Sequence, residues 1–342
     1  MDNILDIFKN DMFGCTALTD FVNDLKYRPG RIGEMGLFTP EPVTTTSIAI
    51  ERVGDMLQLV KPSPRGGPGE TRDMPKRKMT NFQVPHFQRD WAVYADQVQN
   101  VRARGSADQL ATVQQVVGAV IAANTADFDL TEEHARLGAV TGIITYADSS
   151  TLNLFTEFGI SQVAEVDFDL DNPNPADGAL RLACTKVIRA EKKALGAVPF
   201  TEVHAFAGDT FFDQLLGHPE VRETYKGWSE AQILRESYIG KNRSSNPTFE
   251  FGGIVWENYG EIDGEGVGVP TTKARFFPVG VPNLFKTYWS PADYIETVNT
   301  LGERLYAKQF QMPNDKGING ELQMNALQLC TRPGALMGAR NT

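Results

Sequence analysis

Residues 13–95 make up nearly a quarter of the chain and carry too little periodic apolar surface to bury themselves. The stretch YRPGRIGEMGLFTPEPV (27–43) is broken by Pro29, Gly30, Gly33, Gly36, Pro40 and Pro42, yet it keeps Ile32, Met35, Leu37 and Phe38. No secondary-structure period fits it, and it is too apolar for a disordered linker. It reads as an extended arm laid on a surface. Residues 45–60 read as two short strands about Gly54-Asp55, and 76–95 as a further extended segment with a bend at Pro85. The whole of 45–95 is then a long β-excursion with few inward-facing residues. An isolated two-stranded ribbon is marginal in water, so something else must support it.

Within that excursion, KPSPRGGPGETRDMPKRKMTNF (61–82) holds six cations, Lys61, Arg65, Arg72, Lys76, Arg77 and Lys78, against Glu70 and Asp73. The chain as a whole stands at −10. The glycines of SPRGGPG invite a phosphate, but the spacing is neither GxxxxGK[ST] nor GxGxxG. No helix start follows to aim amides at an anion, and Pro64 and Pro68 remove two donors. A DNA clamp is the alternative reading of these cations. The acidic chain and the near absence of aromatics beside them count against it.

The remaining sequence reads as α+β. Apolar residues at helical spacing predict helices over 106–123 and from Asp129 onward, running nearly end to end as a broken rod. EVDFDLD (165–171) alternates as a half-wet strand, and Asn174-Pro175-Ala176-Asp177 predicts a helix start. PFTEVHAFA (199–207) reads as a buried strand. Short helices are expected at 209–217, 219–226 and 229–239, and strands at 249–260 and 274–280. Ser290-Pro291-Ala292-Asp293 repeats the helix-start signal, and 303–330 holds two extended apolar runs.

Chemistry-bearing motifs are missing. Asp167, Asp169 and Asp171 mimic half of a calcium loop, but Asn172 and Gly178 stand where its glycine and glutamate belong. His86, His134, His204 and His218 share no metal-ligand spacing; His204 reads as a satisfied core residue and His218 as a helix cap or a surface residue. Gly227-Trp228-Ser229-Glu230-Ala231 is no nucleophile elbow. Cys15, Cys184 and Cys330 read as reduced thiols. No catalytic, cofactor or metal site is expected, no apolar run reaches the ~18 residues of a membrane span, and a hydrolase reading has no motif behind it.

Two readings stay open for the coreless quarter: it packs back on its own domain, or it docks on another copy, basic loop to acidic patch. In the second, the candidate contacts are the six loop cations and, on the arm, Arg28, Arg31, Ile32, Leu37 and Phe38.

Several long stretches carry a resemblance. ALTDFVNDLKYRPGRIGEMGLF (17–38), TTTSIAIE (44–51), SPRGGPG (63–69), HPEVRETY (218–225), ARFFPVG (274–280), YWSPADYIETVNTLGERLYAK (288–308) and LQLCTRP (327–333) resemble the lambda-type major capsid proteins of tailed phages, the capsid protein E family. The resemblance implies the Hong Kong 97-type fold, with an N-terminal arm over 1–44, an extended loop over 45–95, a peripheral domain over 96–160 and 288–342 with a long spine helix, and an axial domain over 161–287. It implies assembly into pentamers and hexamers of an icosahedral shell that encloses DNA and expands on maturation. Scaffolding protein, portal and a possible decoration protein are the implied partners, with packaged DNA touched only non-specifically. The implied location is the virion capsid, with the host cytoplasm during assembly. The lysine–asparagine cross-link of some relatives of the fold is not carried over.

Overall fold

The computed structural model describes residues 15–25, 30–53, 77–98, 109–196, 198–226, 246–262 and 267–341. The chain divides into two compact units. One comprises Met1–Ile48, Asn81–Arg136 and Lys286–Leu329; the other comprises Ala49–Thr80, Leu137–Phe285 and Cys330–Thr342.

The first unit is built on a five-stranded sheet. Strand Gly317–Cys330 is its centre, flanked by Tyr306–Gln311, His86–Tyr94 and Phe285–Trp289, with Phe38–Pro42 beyond the last. The two apolar runs expected in 303–330 are an antiparallel pair, Ala307 opposite Leu322. Period-2 alternation sends Trp91, Val93, Leu322, Met324 and Ala307 to one face. Val117, Ile121 and Phe128 of a long helix, with Leu18 and Val22 of helix Cys15–Asp24, complete that core. Gly320 faces Trp91 across the strands, and a Cβ there would lie 2.0 Å from the indole ring. The missing side chain is what lets the indole lie flat over the backbone.

The long helix is continuous from Gln109 to Thr141. The expected break at Asp129 does not occur, because the carboxylate of Asp129 pairs with Arg304 instead of capping a new helix. At ~1.5 Å per residue the rod is ~50 Å long.

The second unit holds a six-stranded sheet in the order 166–167, 337–340, 273–279, 202–207, 254–258, 248–251. Helices Ala179–Leu195 and Asp209–Gly217 contribute Leu180, Val187, Phe211 and Leu215 to a core with Trp256 and Phe276. Phe168 packs edge-on to Trp256 at 5.6 Å. On the sheet's other face, His204 and Glu257 form a buried pair at 3.0 Å, with Asn246 donating to the second carboxylate oxygen. His204 is thus a satisfied core residue. His218, buried, caps helix Asp209–Gly217 and accepts the Glu220 N–H.

Three sequence expectations give way. The strand at 165–171 shortens to Val166–Asp167, since Asp169 turns the chain at φ +50 and the Leu170 and Asp171 N–H groups go to Asn341. The helix expected from Pro175 begins at Ala179 behind Gly178 at φ +80, and its first amides donate to the Glu220 carboxylate. Ser290-Pro291-Ala292-Asp293 starts no α-helix; only a 3-10 turn, Ile295–Thr297, follows. There Asp293 accepts from the Gln323 amide at 2.6 Å, so it is not free to cap. The helix expected at 229–239 lies outside the described residues.

Glu191, on the inner face of helix Ala179–Leu195, is fully buried and neither carboxylate oxygen has a partner. Burial pushes its carboxyl up to about 9 from an ordinary 4.5. Below pH ~4.5 it is neutral in folded and unfolded chains alike. As pH rises toward 9 only the unfolded chain ionises, so folding loses stability across that window. Glu191→Leu is expected to raise the unfolding free energy of the unassembled subunit by about 1–3 kcal/mol at pH 8, and by less at pH 5. Urea denaturation at the two pH values checks this.

Candidate intersubunit surfaces

The arm from Cys15 to Val43 is held by its own unit. Helix Cys15–Asp24 lies along strand Tyr306–Gln311, where its side chains stand in for a neighbouring strand. Thr19 Oγ1 accepts the Ala307 N–H at 3.2 Å, and four residues later Asn23 accepts from Leu305 N–H and donates to Leu305 O at 3.1 Å. This covers a strand edge that would otherwise expose unpaired amides.

Further along, the short helix Arg31–Met35 points its first amides at Glu133, with Ile32 N–H donating at 2.6 Å and Gly33 N–H at 3.2 Å. Ile32 has no exposed surface. Phe38 lies under the Arg136 guanidinium at 5.8 Å. Strand Phe38–Pro42 is tied to the sheet by the Glu41–Lys286 ion pair at 2.5 Å, and the Glu41 carboxylate holds the Lys286 ammonium above its usual range.

One turn of the long helix organises these contacts. Asp129, Glu132 and Glu133 are all buried. Arg304 donates to Glu132 at 3.0 Å and also pairs with Asp129, while Arg136 closes on Glu132 from one turn away. Burial alone would lower the Arg304 guanidinium; the carboxylates of Glu132 and Asp129 outweigh it and hold the group above its ordinary value.

The ribbon is real. Strand Ser47–Val53 pairs with Arg77–Gln83 as a sheet of two, with Ile48 and Phe82 buried at its base and Met79 exposed. The partner of 47–53 is therefore 77–83; the second strand expected just past Gly54-Asp55 lies outside the described residues. So do Arg28, Lys61, Arg65, Arg72 and Lys76. Arg77 and Lys78 open the second ribbon strand. Arg31 is part-buried, 3.8 Å from Glu34, and Leu37 is part-buried. The structure thus brings Ile32 and Phe38 together around the long helix.

Sequence reasoning missed two features. Asp129, Glu132, Glu133 and Arg304 form the anchor just described, and the signal in the sequence was a cluster of acids, Asp127 to Glu133, interrupting the apolar stripe of the helix. The second is an exposed apolar edge on the 294–302 segment, with Ile295 89%, Val298 63% and Leu301 61% exposed. Thr297 fixes this segment by donating to Ala292 O at 2.8 Å and Tyr294 O at 3.0 Å. Among the described residues no group of three or more His, Cys, Asp or Glu is placed to hold a metal ion, and no helix is long and apolar enough to cross a membrane.

A family model described as phage major capsid protein E matches residues 14–341. The major capsid protein of Salmonella phage Felix O1 is 25% identical over 96% of this chain and 96% of its own length. That of Pseudomonas phage KPP10 is 28% identical over 89% of this chain and 90% of its own. The solved structure of a putative capsid protein from an Escherichia coli CFT073 prophage superposes with a TM-score of 0.54 at 12% identity, covering 96% of this chain and 99% of that one. That likeness places the α+β chain in the Hong Kong 97-type fold.

Removing one partner of a buried ion cluster strands the rest. Arg304→Met is expected to destabilise the unassembled subunit by about 3–5 kcal/mol. Glu133→Ala, which frees two arm amides, is expected to cost about 1–3 kcal/mol. Guanidinium unfolding curves measure both, and limited proteolysis of Glu133→Ala should cut first within 26–37.

Proposed function

This chain belongs to the phage major capsid protein E family and forms the shell of a tailed-phage capsid; from that premise we propose how its parts assemble. The match across residues 14–341 carries the reading. The role is structural and its location is the virion capsid.

We assign the ribbon of 47–53 and 77–83, with its basic tip over 61–78, to contact with a neighbouring subunit; 86–94, the remainder of the loop expected over 45–95, is a strand of the first unit's sheet. Support comes from its composition and its ribbon form. Two strands alone are marginal, and a Pro/Gly-rich tip with six cations complements a chain whose remainder is acidic. The arm of 1–44 is assigned two parts: residues 15–43 anchor to their own unit, and its exposed face adds to intersubunit contact. The peripheral role falls to 96–160 and 288–342, and the axial role, around pentamer and hexamer centres, to 161–287. Many weak contacts per subunit then sum to a stable lattice. Expansion on DNA packaging repacks arms and ribbons while the units rotate as bodies. Scaffolding protein and portal act during assembly in the host cytoplasm, and a decoration protein would add to the finished shell. DNA is touched only non-specifically, in keeping with an acidic chain. The family match lends no support to the DNA-clamp reading of 61–82.

Purified protein, co-expressed with its scaffold where needed, should form capsomers or shells in negative-stain micrographs; a strictly monomeric protein under all assembly conditions contradicts the proposal. Neutralising Lys76, Arg77 and Lys78 to Gln together is expected to lower shell yield several-fold with the subunit's circular dichroism unchanged. Unchanged yield would remove the electrostatic role of the tip.

A further inference from the structure

Helix Ala179–Leu195 is a basic surface on an acidic protein. Its outward residues include Arg181, Lys186, Arg189, Lys192 and Lys193, and its single acid, Glu191, points inward and is fully buried. Leu182, Lys186, Arg189 and Lys193 follow one another at spacings of four, three and four, which sets them on one face. Leu182 is 61% exposed within that row. Arg181 is occupied by Thr224 and the ring of Phe251. The side chains of the other four cations have no ion pair or hydrogen bond among the described residues. Favourable interaction with the helix dipole accounts for Lys192 and Lys193 in the last turn, but not for Lys186, Arg189 or an exposed leucine farther up.

The same unit carries the complement. The turn before the helix exposes Asp169, Asp171 and Asp177, none paired with a cation among the described residues. The first two are held in place: Asn172 donates to the Asp169 carboxylate at 2.9 Å, and Asn341 accepts the Leu170 and Asp171 amides at 2.9 and 3.1 Å. Asp177 lies two residues before the helix, Asp169 and Asp171 lie earlier in the same lead-in, and the basic row runs toward the helix C-terminus. Ala179 and Lys193 are ~21 Å apart along the axis. One folded body thus presents a basic helix face and an acidic turn in the segment that leads into that helix.

We propose that the basic face of helix 179–195 docks on the 169–177 turn of a second copy of this chain, a head-to-tail contact that closes rings of subunits. It rests on the shell-forming reading and names the surfaces that join neighbours within a capsomer. A contact between two different patches of identical subunits is heterologous and closes into a ring when the rotation allows. The exposed Leu182 favours a protein surface over a phosphate backbone, which offers it no apolar contact. The stems of Lys and Arg also cover apolar surface while their heads reach carboxylates.

The test is charge reversal with rescue, read as the fraction of subunit sedimenting as particles. Lys186→Glu/Arg189→Glu/Lys193→Glu is expected to lower that fraction at least tenfold while circular dichroism and thermal unfolding of the unassembled subunit stay as in the parent. Asp169→Lys/Asp171→Lys/Asp177→Lys should do the same, and the two sets combined should restore most of the particles. Normal particle yield from the helix variant overturns the proposal. So does normal yield with weakened DNA retention, which would assign the face to DNA, and so does a folded combined variant that fails to recover. Should a reversal set misfold, the neutral set Lys186→Gln/Arg189→Gln/Lys193→Gln is read by the same criteria. If the parent protein itself forms no particles, the shell-forming reading fails, not this contact.

Discussion

Three carboxylates on one turn of a helix are buried, and the first unit can fold only by neutralising them. An unpaired buried carboxylate is expensive, and removing one member of a buried ionic cluster exposes the rest to that cost. Asp129, Glu132 and Glu133 recruit partners far away in sequence: the Ile32 and Gly33 amides and the Arg304 guanidinium. Arg136, one turn on, pairs with Glu132 and stacks on Phe38. The arm and the 302–305 segment are thereby drawn onto the same helix. Such pairs add little net stability over apolar packing, but they fix one arrangement out of many that an apolar surface would tolerate.

A shell subunit has to be a rigid body with movable attachments. Here the division falls within residues 13–95, of which 15–24 and 86–94 contribute to the first unit's core. Residues 15–43 are bound by side-chain-to-backbone hydrogen bonds, ion pairs and a strand edge. Among the described residues of the ribbon of 47–53 and 77–83, Ile48 and Phe82 are buried at its base and Met79 is exposed. Assembly contacts are accordingly expected from the ribbon and from preformed charged and apolar surfaces on the two units, not from an arm that folds on arrival.

Much of the fold was legible in the sequence, and the losses have physical causes. Extended apolar runs found the strands at 306–311 and 317–330, and helical spacing found most of the long helix. The expected break at Asp129 failed because a capping residue and an ion-pair residue look identical until Arg304, 175 positions away, is in place. The helix start at Asn174 failed for a similar reason. Its real cap is Glu220, supplied by a later helix. Ser290-Pro291-Ala292-Asp293 has the local signal for a helix, but Gln323 takes the aspartate. Local rules thus succeeded where a segment satisfies its own polar groups and failed where a distant residue does so. The ribbon of 47–53 and 77–83 was legible as extended chain, but 86–94, read into the same coreless excursion, is a strand of the main sheet that sends Trp91 and Val93 into the core; that strand's place and the arm's anchor are both set by tertiary partners.

The central claim is that the arm stays on its own subunit while the ribbon and its basic tip reach the next. A cryo-electron microscopy reconstruction of the assembled particle, with side chains resolved, tests it directly. The account predicts residues 31–38 against Glu133 and Arg136 of their own chain, and residues 61–78 lying on a neighbouring subunit. A ribbon folded back on its own chain, or an arm exchanged onto the neighbour's long helix, would contradict it.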